Sequence, residues 1–261
     1  MLNSIIDIAI NAGSEIIKIY NKDYTVVYKD DKSPLTDADT ASNRIIVDSL
    51  KAISNHPIIS EEEKEIDFET RKNYKTYWLI DPLDGTKEFV KRNGEFTVNI
   101  ALINDGVPVM GVVYAPVIET IYFANEGYGA YKCENVGVSS SHPEILEKAK
   151  ELRNPKTPTK TKLTIVASKS HLSPETQDFI DSMKEMYKEV ELISKGSSLK
   201  LCMVAEGAAN VYPRFAPTME WDTGAGHAVC RVAGYQVNEY PAGTPLKYNK
   251  SNLLNPWFIV M

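Results

Sequence analysis

The sequence lacks the features that define several large classes of protein. Its 261 residues include only three cysteines, Cys133, Cys202 and Cys230, which are far apart and form no CxxC pair. We therefore expect neither a disulfide framework nor a zinc site, and the cytoplasm is the compartment that fits this cysteine usage. No apolar run reaches ~18 residues, so no membrane span is expected, although peripheral membrane association is compatible with the sequence. Asp7 and Asn11 interrupt the first apolar pattern, which has no basic start, so no signal peptide is predicted.

Basic charge is also scarce. The chain has 29 Lys and Arg against 35 Asp and Glu, a net charge of −6. Proteins that bind nucleic-acid polymers usually carry a basic surface, so we expect no such partner. A small anionic ligand is compatible with this charge if metal ions or a local basic cluster offset the negative field.

The hydrophobic pattern predicts an α/β protein in two parts. The first part, residues 1–138, is predicted to be α+β, with a helix over 2–20, a second helix from about Thr40 to Ile53 and an antiparallel meander from Phe96. Short apolar runs predict further strands there at 24–28, 56–60 and 77–80. The stretch 139–161, which is rich in Ser, Pro, Thr and Lys, marks the expected boundary between the two parts. The second part, residues 139–261, alternates strands and helices as α/β layers do.

The segment WLIDPLDGTK contains Asp81 and Asp84, three apart, at the predicted end of a buried strand. Pro82 fixes its own φ and holds the turn open, so the two carboxylates can converge. Gly85 permits close backbone approach, and the amides of Gly85 and Thr86 could hold an anion. Two such carboxylates repel each other unless a cation lies between them, and oxygen ligands favour Mg²⁺, which commonly partners a phosphate. A surface turn is the alternative for this segment alone.

Two other acids border predicted elements. Glu61 directly follows the apolar run HPIIS, whereas Glu62, Glu63 and Glu65 fit a solvated charge run. Asp222 precedes a helix of small and apolar residues, where it could cap the helix or ligate a metal near the positive end of the helix dipole. Taken together, these acids predict a metal site more strongly than any one of them does.

Several motifs carry a resemblance to a known family. The segments SEEE, WLIDPLDGTKEFVKRNGEFTVNIALI and EWDTGAGHAV resemble the Mg²⁺-dependent, lithium-sensitive phosphatases of the inositol monophosphatase superfamily. Within it, SKSH, GSSLKLC and AEGAANVYPRF are similar to the 3′(2′),5′-bisphosphate nucleotidase branch. The resemblance covers essentially the whole chain. It implies a layered αβαβα sandwich with the site between the two parts.

The resemblance also implies a role for each matching residue. The ligands of two or three Mg²⁺ ions would be Glu61, Asp81, the Leu83 carbonyl, Asp84 and Asp222. The catalytic set would be Asp39, Thr86 and Glu61, with Asp39 and Thr86 orienting and deprotonating the attacking water. The substrate would be bound by Asp84, Gly85, Thr86, His171, Ser197, Lys200, Arg214 and Asp222.

Without the resemblance, some of these residues have simpler explanations. Asp39 could merely cap the helix that begins near it, and Asp37 competes for the role of base. His171 could be a loop residue before a helix, Lys200 a solvated lysine, and Arg214 the partner of a surface acid.

One position departs from the branch, in which WDTAAG is expected: Gly224 replaces the first alanine. Glycine costs a helix up to about 1 kcal/mol relative to alanine, but Asp222 is retained. His227, one turn further along, is expected to be packed rather than catalytic.

The implied reaction is hydrolysis of a phosphomonoester by water, without a covalent intermediate. The expected substrate is adenosine 3′,5′-bisphosphate, which yields 5′-AMP and phosphate, with 3′-phosphoadenylyl sulfate as a second substrate. Such an enzyme would clear a by-product of sulfate activation, and Lys200 and Arg214 would favour a substrate with a second phosphate. The alternatives are an inositol monophosphatase or sugar-bisphosphate phosphatase on the same scaffold, and a nucleotide-binding regulator without catalysis. No EF-hand spacing supports a calcium module. The protein could be a monomer or a homodimer.

Overall fold

Eight helices and fourteen strands form the part of the chain that the computed structural model describes, residues 1–22, 26–28, 34–154, 161–167 and 173–261. The helices are α1 Leu2–Tyr20, α2 Asp37–Ile53, α3 Phe68–Arg71, α4 Thr86–Val90, α5 His142–Lys148, α6 Pro174–Met186, α7 Leu199–Ala205 and α8 Glu220–Val232. The strands are β1 Val26–Tyr28, β2 Pro34–Thr36, β3 Ile58–Ser60, β4 Thr76–Asp84, β5 Thr97–Asn104, β6 Val107–Ala115, β7 Thr120–Asn125, β8 Gly129–Glu134, β9 Lys150–Leu152, β10 Lys162–Ala167, β11 Glu189–Ser194, β12 Tyr212–Arg214, β13 Val237–Glu239 and β14 Phe258–Val260.

A seven-stranded sheet forms the centre of the molecule. Its strands run in the order β3 to β9, with β3 parallel to β4 and every other pair antiparallel. Helices α1 and α2 pack on one face, where Trp78 and Ile80 point, and α7 and α8 cover the face of Tyr77 and Leu79. Because side chains alternate along a strand, β4 is apolar on both sides and reads as a continuous buried run.

A second set of strands lies beyond α7 and α8. Strands β12, β14 and β13 form one antiparallel sheet, and β10 pairs in parallel with β11. A bridge between Ile165 and Val211 links the two groups. Helix α6 covers their outer side, where the Phe179 ring meets Phe215 edge-on. The order of layers is therefore αβαβα, which confirms the fold that the family resemblance implied.

Helix α8 lies unusually close to the large sheet. A Cβ atom placed on Gly111 of β6 would come within 2.4 Å of the Ala225 carbonyl oxygen and 2.8 Å of the Ala228 Cβ. Only glycine leaves room for the helix backbone there. This contact brings the first turn of α8, with Asp222, against the strands that carry the other acids.

Helix α2 begins three residues earlier than predicted, at Asp37 rather than Thr40. The cause is a capping box: the Thr36 hydroxyl accepts from the Ala38 amide, and the Asp39 carboxylate accepts from the Thr36 amide at 2.8 Å.

The position of any sub-domain boundary stays a prediction. Strand β9, from the predicted second part, pairs with β8 at the edge of the large sheet, so the two parts share that sheet. Within the described ranges, no helix combines the length and the apolar character needed to cross a bilayer.

Candidate metal-dependent active site

Three predicted metal ligands meet at one point. Glu61 follows β3, Asp81 lies in β4, and Asp222 lies in the first turn of α8. Each offers a carboxylate oxygen, and these oxygens lie within 4.8 Å of one another. Asp81 is only 1% exposed, whereas the other two are half-buried and face the cleft described below. The structure thus brings together acids that are separated by up to 161 positions (222 − 61) in the sequence.

A bulge in β4 presents the second acid of the DPLD motif. Asp81 pairs with Asn99 and Asp84 with Thr97, so three steps along β4 face two along β5. Pro82 has no N–H to donate, and the ladder is interrupted there. The prediction that the strand ends at Asp81 is therefore wrong: β4 continues through the bulge to Asp84.

Local hydrogen bonds hold the bulge. The Ser42 hydroxyl, from α2, donates to the Pro82 carbonyl at 2.7 Å, and the Leu83 amide donates to the Asp81 carboxylate at 3.0 Å. The Leu83 carbonyl lies 3.5 Å from the Thr86 hydroxyl, at the rim of the cleft. The backbone that carries both acids is therefore fixed by the protein itself.

The surroundings of Asp81 and Asp222 disfavour ionisation of these two carboxyl groups. Burial raises the pKa of Asp81 well above its usual range, and the neighbouring carboxylates of Glu61, Asp84 and Asp222 raise it further. Burial also raises the pKa of Asp222, with Asp84 and Glu61 adding to the effect. A cation among these oxygens would reverse that effect. An all-oxygen donor set fits a hard divalent ion.

Asp84 is linked to the opposite side of the cleft. Its carboxylate accepts from the Ser198 amide at 2.5 Å, although the two residues are 114 positions apart. Burial raises the pKa of Asp84 to about 6, while the Lys200 ammonium and the Ser198 amide oppose that rise.

Thr86 and Asp39 form the pair that the resemblance implied. Gly85 adopts φ +94°, a left-handed conformation that glycine tolerates, and turns the chain into α4. The Thr86 hydroxyl then donates to the Asp39 carboxylate at 3.2 Å. Asp39 is buried, whereas its competitor Asp37 is exposed. Asp39 thus caps α2 and contacts the site.

Nearly all the predicted site residues line a single cleft of about 260 Å³. The predicted residues found there are Glu61, Asp81, Leu83, Asp84, Gly85, Thr86, Ser197, Lys200, Arg214 and Asp222. Asp39 does not line the cleft, but its carboxylate contacts Thr86, which does. His171 lies outside the described residues.

Lys200 is not a solvated lysine. It is 6% exposed, and its ammonium donates to the carbonyls of Ser197 at 2.6 Å and Lys195 at 3.2 Å. Burial lowers the pKa of Lys200 to about 8, against the opposing effect of Asp84. Arg214 donates to the Pro217 carbonyl at 2.9 Å and also lines the cleft.

A buried polar network beside the cleft was not predicted. The Thr97 hydroxyl lies 2.7 Å from that of Ser197 and 2.8 Å from that of Ser198, which donates to the Asn99 side chain. Thr97 and Asn99 are two apart in an apolar strand and therefore share a face, which is the signal that could have revealed them. The network holds Ser197 at φ +50°, an uncommon conformation for a residue other than glycine.

His227 is packed, as predicted. It is buried, and its Nδ1 atom lies 3.0 Å from the Tyr248 hydroxyl, which donates to Thr223. Burial lowers the pKa of His227 to about 3, helped by the charge of Arg231. His227 is absent from the lining of the cleft.

Comparison with known proteins assigns the family. The sequence model described as "Inositol monophosphatase family" matches residues 1–256. The chain belongs to the inositol monophosphatase family.

Within the inositol monophosphatase family, the chain is similar to bacterial proteins named 3′(2′),5′-bisphosphate nucleotidase CysQ. It is 45% identical to that of Escherichia coli (strain K12), over 100% of this chain and 99% of the relative. It is 34% identical to that of Haemophilus influenzae, over 100% and 92%. The crystal structure of CysQ from Bacteroides thetaiotaomicron has 50% identity and a TM-score of 0.87, and the match covers 98% of this chain and 95% of that one.

More distant members share the fold alone. Inositol monophosphatase-II from Staphylococcus aureus MSSA476 is 23% identical, with a TM-score of 0.73 over 98% of this chain and 89% of that one.

Proposed function

We propose that this protein hydrolyses adenosine 3′,5′-bisphosphate to 5′-AMP and phosphate in a Mg²⁺-dependent reaction, with 3′-phosphoadenylyl sulfate as a second substrate. One observation carries the proposal: a single cleft is lined both by the acidic cluster and by Lys200 and Arg214. Acids that can hold cations suit the phosphate to be cleaved, and the two basic side chains suit a phosphate that is retained. The names of the CysQ relatives support this choice of substrate.

The residues present fit Mg²⁺. Glu61, Asp81 and Asp222 offer oxygens within 4.8 Å of one another, and Asp84 and the Leu83 carbonyl lie on the same cleft. These five would hold two or three ions. When bound, Mg²⁺ supplies positive charge against the phosphoryl and leaving oxygens and lowers the pKa of the attacking water.

The side chains Thr86 and Asp39 would prepare the attacking water. Thr86 accepts a hydrogen bond from the water and donates its own hydroxyl proton to Asp39, 3.2 Å away. Asp39 thus takes up the proton that the water loses, as a general base does. Water adds to phosphorus, and the bond from phosphorus to the ribose 3′ oxygen breaks. That oxygen takes a proton from solvent water while Asp39 releases its proton to solvent, giving 5′-AMP and inorganic phosphate.

Backbone and basic groups would orient the substrate. The amides of Gly85 and Thr86 donate to the phosphate that is cleaved, and Ser197, Lys200 and Arg214 contact the nucleotide and its 5′-phosphate. His171 is proposed to contact the nucleotide as well. The three cysteines are free and buried, which supports a location in a reducing cytosol.

A panel of substrates tests the proposal. Initial rates of phosphate release are compared for adenosine 3′,5′-bisphosphate, inositol 1-phosphate and fructose 1,6-bisphosphate, each with Mg²⁺, with a chelator and with added Li⁺. We expect the adenosine bisphosphate to react fastest, the chelator to abolish release, and Li⁺ to inhibit it. Faster turnover of the inositol or sugar ester would assign the site to that substrate class instead.

A further inference from the structure

The first turn of α8 rests on buried charged side chains. Glu220, two residues before Asp222, is fully buried. Its carboxylate accepts from the amides of Asn249 at 2.7 Å and Lys250 at 3.0 Å, and from the Lys250 ammonium at 2.6 Å. These three donors satisfy a charge that would otherwise be very costly to bury.

Arg71, the last residue of α3, contacts the turn at 249–251, the same turn whose amides bind Glu220. It is 1% exposed, and its guanidinium donates to the Asn249 side chain at 2.9 Å and to the carbonyls of Lys250 at 2.5 Å and Ser251 at 2.8 Å. The Asn249 side chain donates back to the Arg71 carbonyl at 2.6 Å. The turn at 249–251 thus gives amide hydrogens to Glu220 and carbonyls to Arg71.

This turn is also tied to the backbone just before α8. The Lys250 ammonium lies 3.2 Å from the Asn255 side-chain oxygen, and the amide group of Asn255 donates to the Met219 carbonyl at 2.8 Å. The Met219 amide in turn donates to the Asp222 carboxylate at 2.9 Å. A continuous chain of hydrogen bonds therefore runs from the charged cluster to a predicted metal ligand.

We propose that Arg71, Glu220 and Lys250 are positioning residues that hold Glu61 and Asp222 at ligand spacing before a cation binds. We call these three residues the clamp. Arg71 lies ten positions after Glu61 on the same connection, and both residues line a second cavity, of about 370 Å³, together with Trp221. The clamp therefore connects the segment of Glu61 to the helix of Asp222.

Repulsion among the ligands explains why positioning residues would be needed. Three carboxylates within 4.8 Å of one another repel when no cation lies between them, so the empty site favours separation of its own ligands. Two basic groups against one carboxylate give the clamp a net charge of +1, beside the acids. The clamp touches neither substrate nor reacting atoms, so it acts through the spacing of the ligands. This inference rests on the proposed function for the existence of the metal site.

The variant Glu220→Gln tests the clamp. It keeps the size of the side chain but removes the charge that holds Lys250. Loss of groups that orient metal ligands commonly weakens metal binding 10–100-fold, so we expect the Mg²⁺ dissociation constant to rise at least about tenfold. Calorimetric titration of the metal-free protein measures that constant without any turnover. The Mg²⁺ concentration for half-maximal phosphate release should rise by the same factor, while KM at saturating Mg²⁺ stays near that of the wild type.

The matched control is Glu206→Gln. Glu206 also pairs with a lysine, the Lys132 ammonium at 2.6 Å, and accepts from the Tyr122 hydroxyl at 3.1 Å, but its side chain is 17% exposed and it does not line the cleft. We expect this change to lower the melting temperature and leave the Mg²⁺ dissociation constant unaltered. Should Glu220→Gln fail to fold, Lys250→Met keeps both backbone hydrogen bonds to Glu220 and should weaken Mg²⁺ binding in the same direction by a smaller factor.

The outcomes separate the two proposals. The clamp would be overturned if a folded Glu220→Gln protein bound Mg²⁺ with wild-type affinity. If its melting temperature also fell, as that of Glu206→Gln is expected to, the three residues would have a purely structural role. If the wild-type protein binds Mg²⁺ but releases no phosphate from any ester of the panel, the proposed function fails, and the calorimetric comparison still decides the clamp.

Discussion

The Asp39 carboxylate contacts Thr86 with one oxygen and Thr36 with the other. Its Oδ1 atom accepts from the Thr86 hydroxyl at 3.2 Å, and its Oδ2 atom accepts from the Thr36 amide at 2.8 Å and hydroxyl at 2.6 Å. The capping box that starts α2 therefore also fixes the carboxylate that contacts Thr86 at the edge of the cleft. Capping and the proposed catalytic role, which competed as explanations of Asp39 in the sequence, would use different oxygens of the same group.

Asp39→Asn should separate these two roles. The amide can still accept from Thr36, but it cannot take up a proton, so we expect kcat to fall at least about 100-fold with little change in KM. Asp37→Asn is the matched control, because Asp37 lies in the same turn but is exposed, and its kcat should match the wild type. A fall in kcat for Asp37→Asn alone would move the role of base to Asp37.

The preference for a second phosphate should depend on pH through Lys200. Burial lowers the pKa of Lys200 to about 8, so the free enzyme loses this charge within the accessible range. We expect the ratio of kcat/KM for adenosine 3′,5′-bisphosphate over adenosine 3′-monophosphate to fall up to about tenfold between about pH 7 and pH 9. Lys200→Met should show the lower ratio at every pH. A ratio that is high and constant in the wild type would contradict the role given to Lys200.

His227 should make the protein less stable in acid. Its pKa is lowered from 6.5 to about 3 in the folded state, so the unfolded chain binds the proton more tightly. The stability that the neutral imidazole contributes is present above pH 6.5 and is lost as pH falls toward 3. Urea unfolding in Mg²⁺-free buffer measures the free energy of unfolding at each pH. Between about pH 7 and pH 5, this free energy should fall by about 2 kcal/mol more in the wild type than in His227→Gln. Parallel losses in the two proteins would refute this.

Two glycines at the sheet and helix interface should differ in their tolerance of alanine. At Gly111 the new Cβ would lie 2.4 Å from a backbone oxygen, and we expect a loss of roughly 1–3 kcal/mol in the free energy of unfolding. At Gly224 the nearest atom is the Leu79 Cδ2 at 3.0 Å, the end of a side chain that can move slightly. A gain in helix propensity of up to about 1 kcal/mol offsets that contact, so Gly224→Ala should stay within about 1 kcal/mol of the wild type. Urea unfolding of both variants measures the difference, and equal losses would contradict it.

The acidic cluster of Glu61, Asp81 and Asp222 could be predicted because each acid borders an apolar run. Glu61 and Asp81 each follow a short apolar run and Asp222 precedes a helical pattern, so local pattern placed all three at the predicted ends of elements, although Asp81 lies within β4 and α8 begins two residues before Asp222. The geometry of Asp84 could not be predicted in the same way. Its presentation depends on a bulge, and a bulge is set by the register against a partner strand that local pattern does not reveal.

The buried charges were harder to foresee, because their partners are distant in the chain. Without the resemblance, the sequence could not distinguish a solvated Lys200 from a substrate-binding one, whereas in the structure Lys200 is enclosed and donates to two carbonyls. Arg71 and Glu220 each hold the turn near Asn249, which lies 178 positions from Arg71 and 29 from Glu220. Helical or strand periodicity carries no information about such contacts. The short elements α3, α4, β2, β9 and β13 were missed for a related reason, since three to five residues hold too little periodicity.

The most direct measurement compares Mg²⁺-dependent phosphate release from adenosine 3′,5′-bisphosphate by the wild type and by Asp84→Asn. The asparagine can still accept a hydrogen bond from the Ser198 amide. Burial raises the pKa of Asp84 to about 6, which shows that its charge is unfavourable in the metal-free protein. The metal-free variant should therefore be at least as stable as the wild type. Loss of the charge at the metal site should slow release more than about 100-fold. We expect a folded protein that has lost activity. A folded Asp84→Asn protein that releases phosphate at the wild-type rate would contradict it.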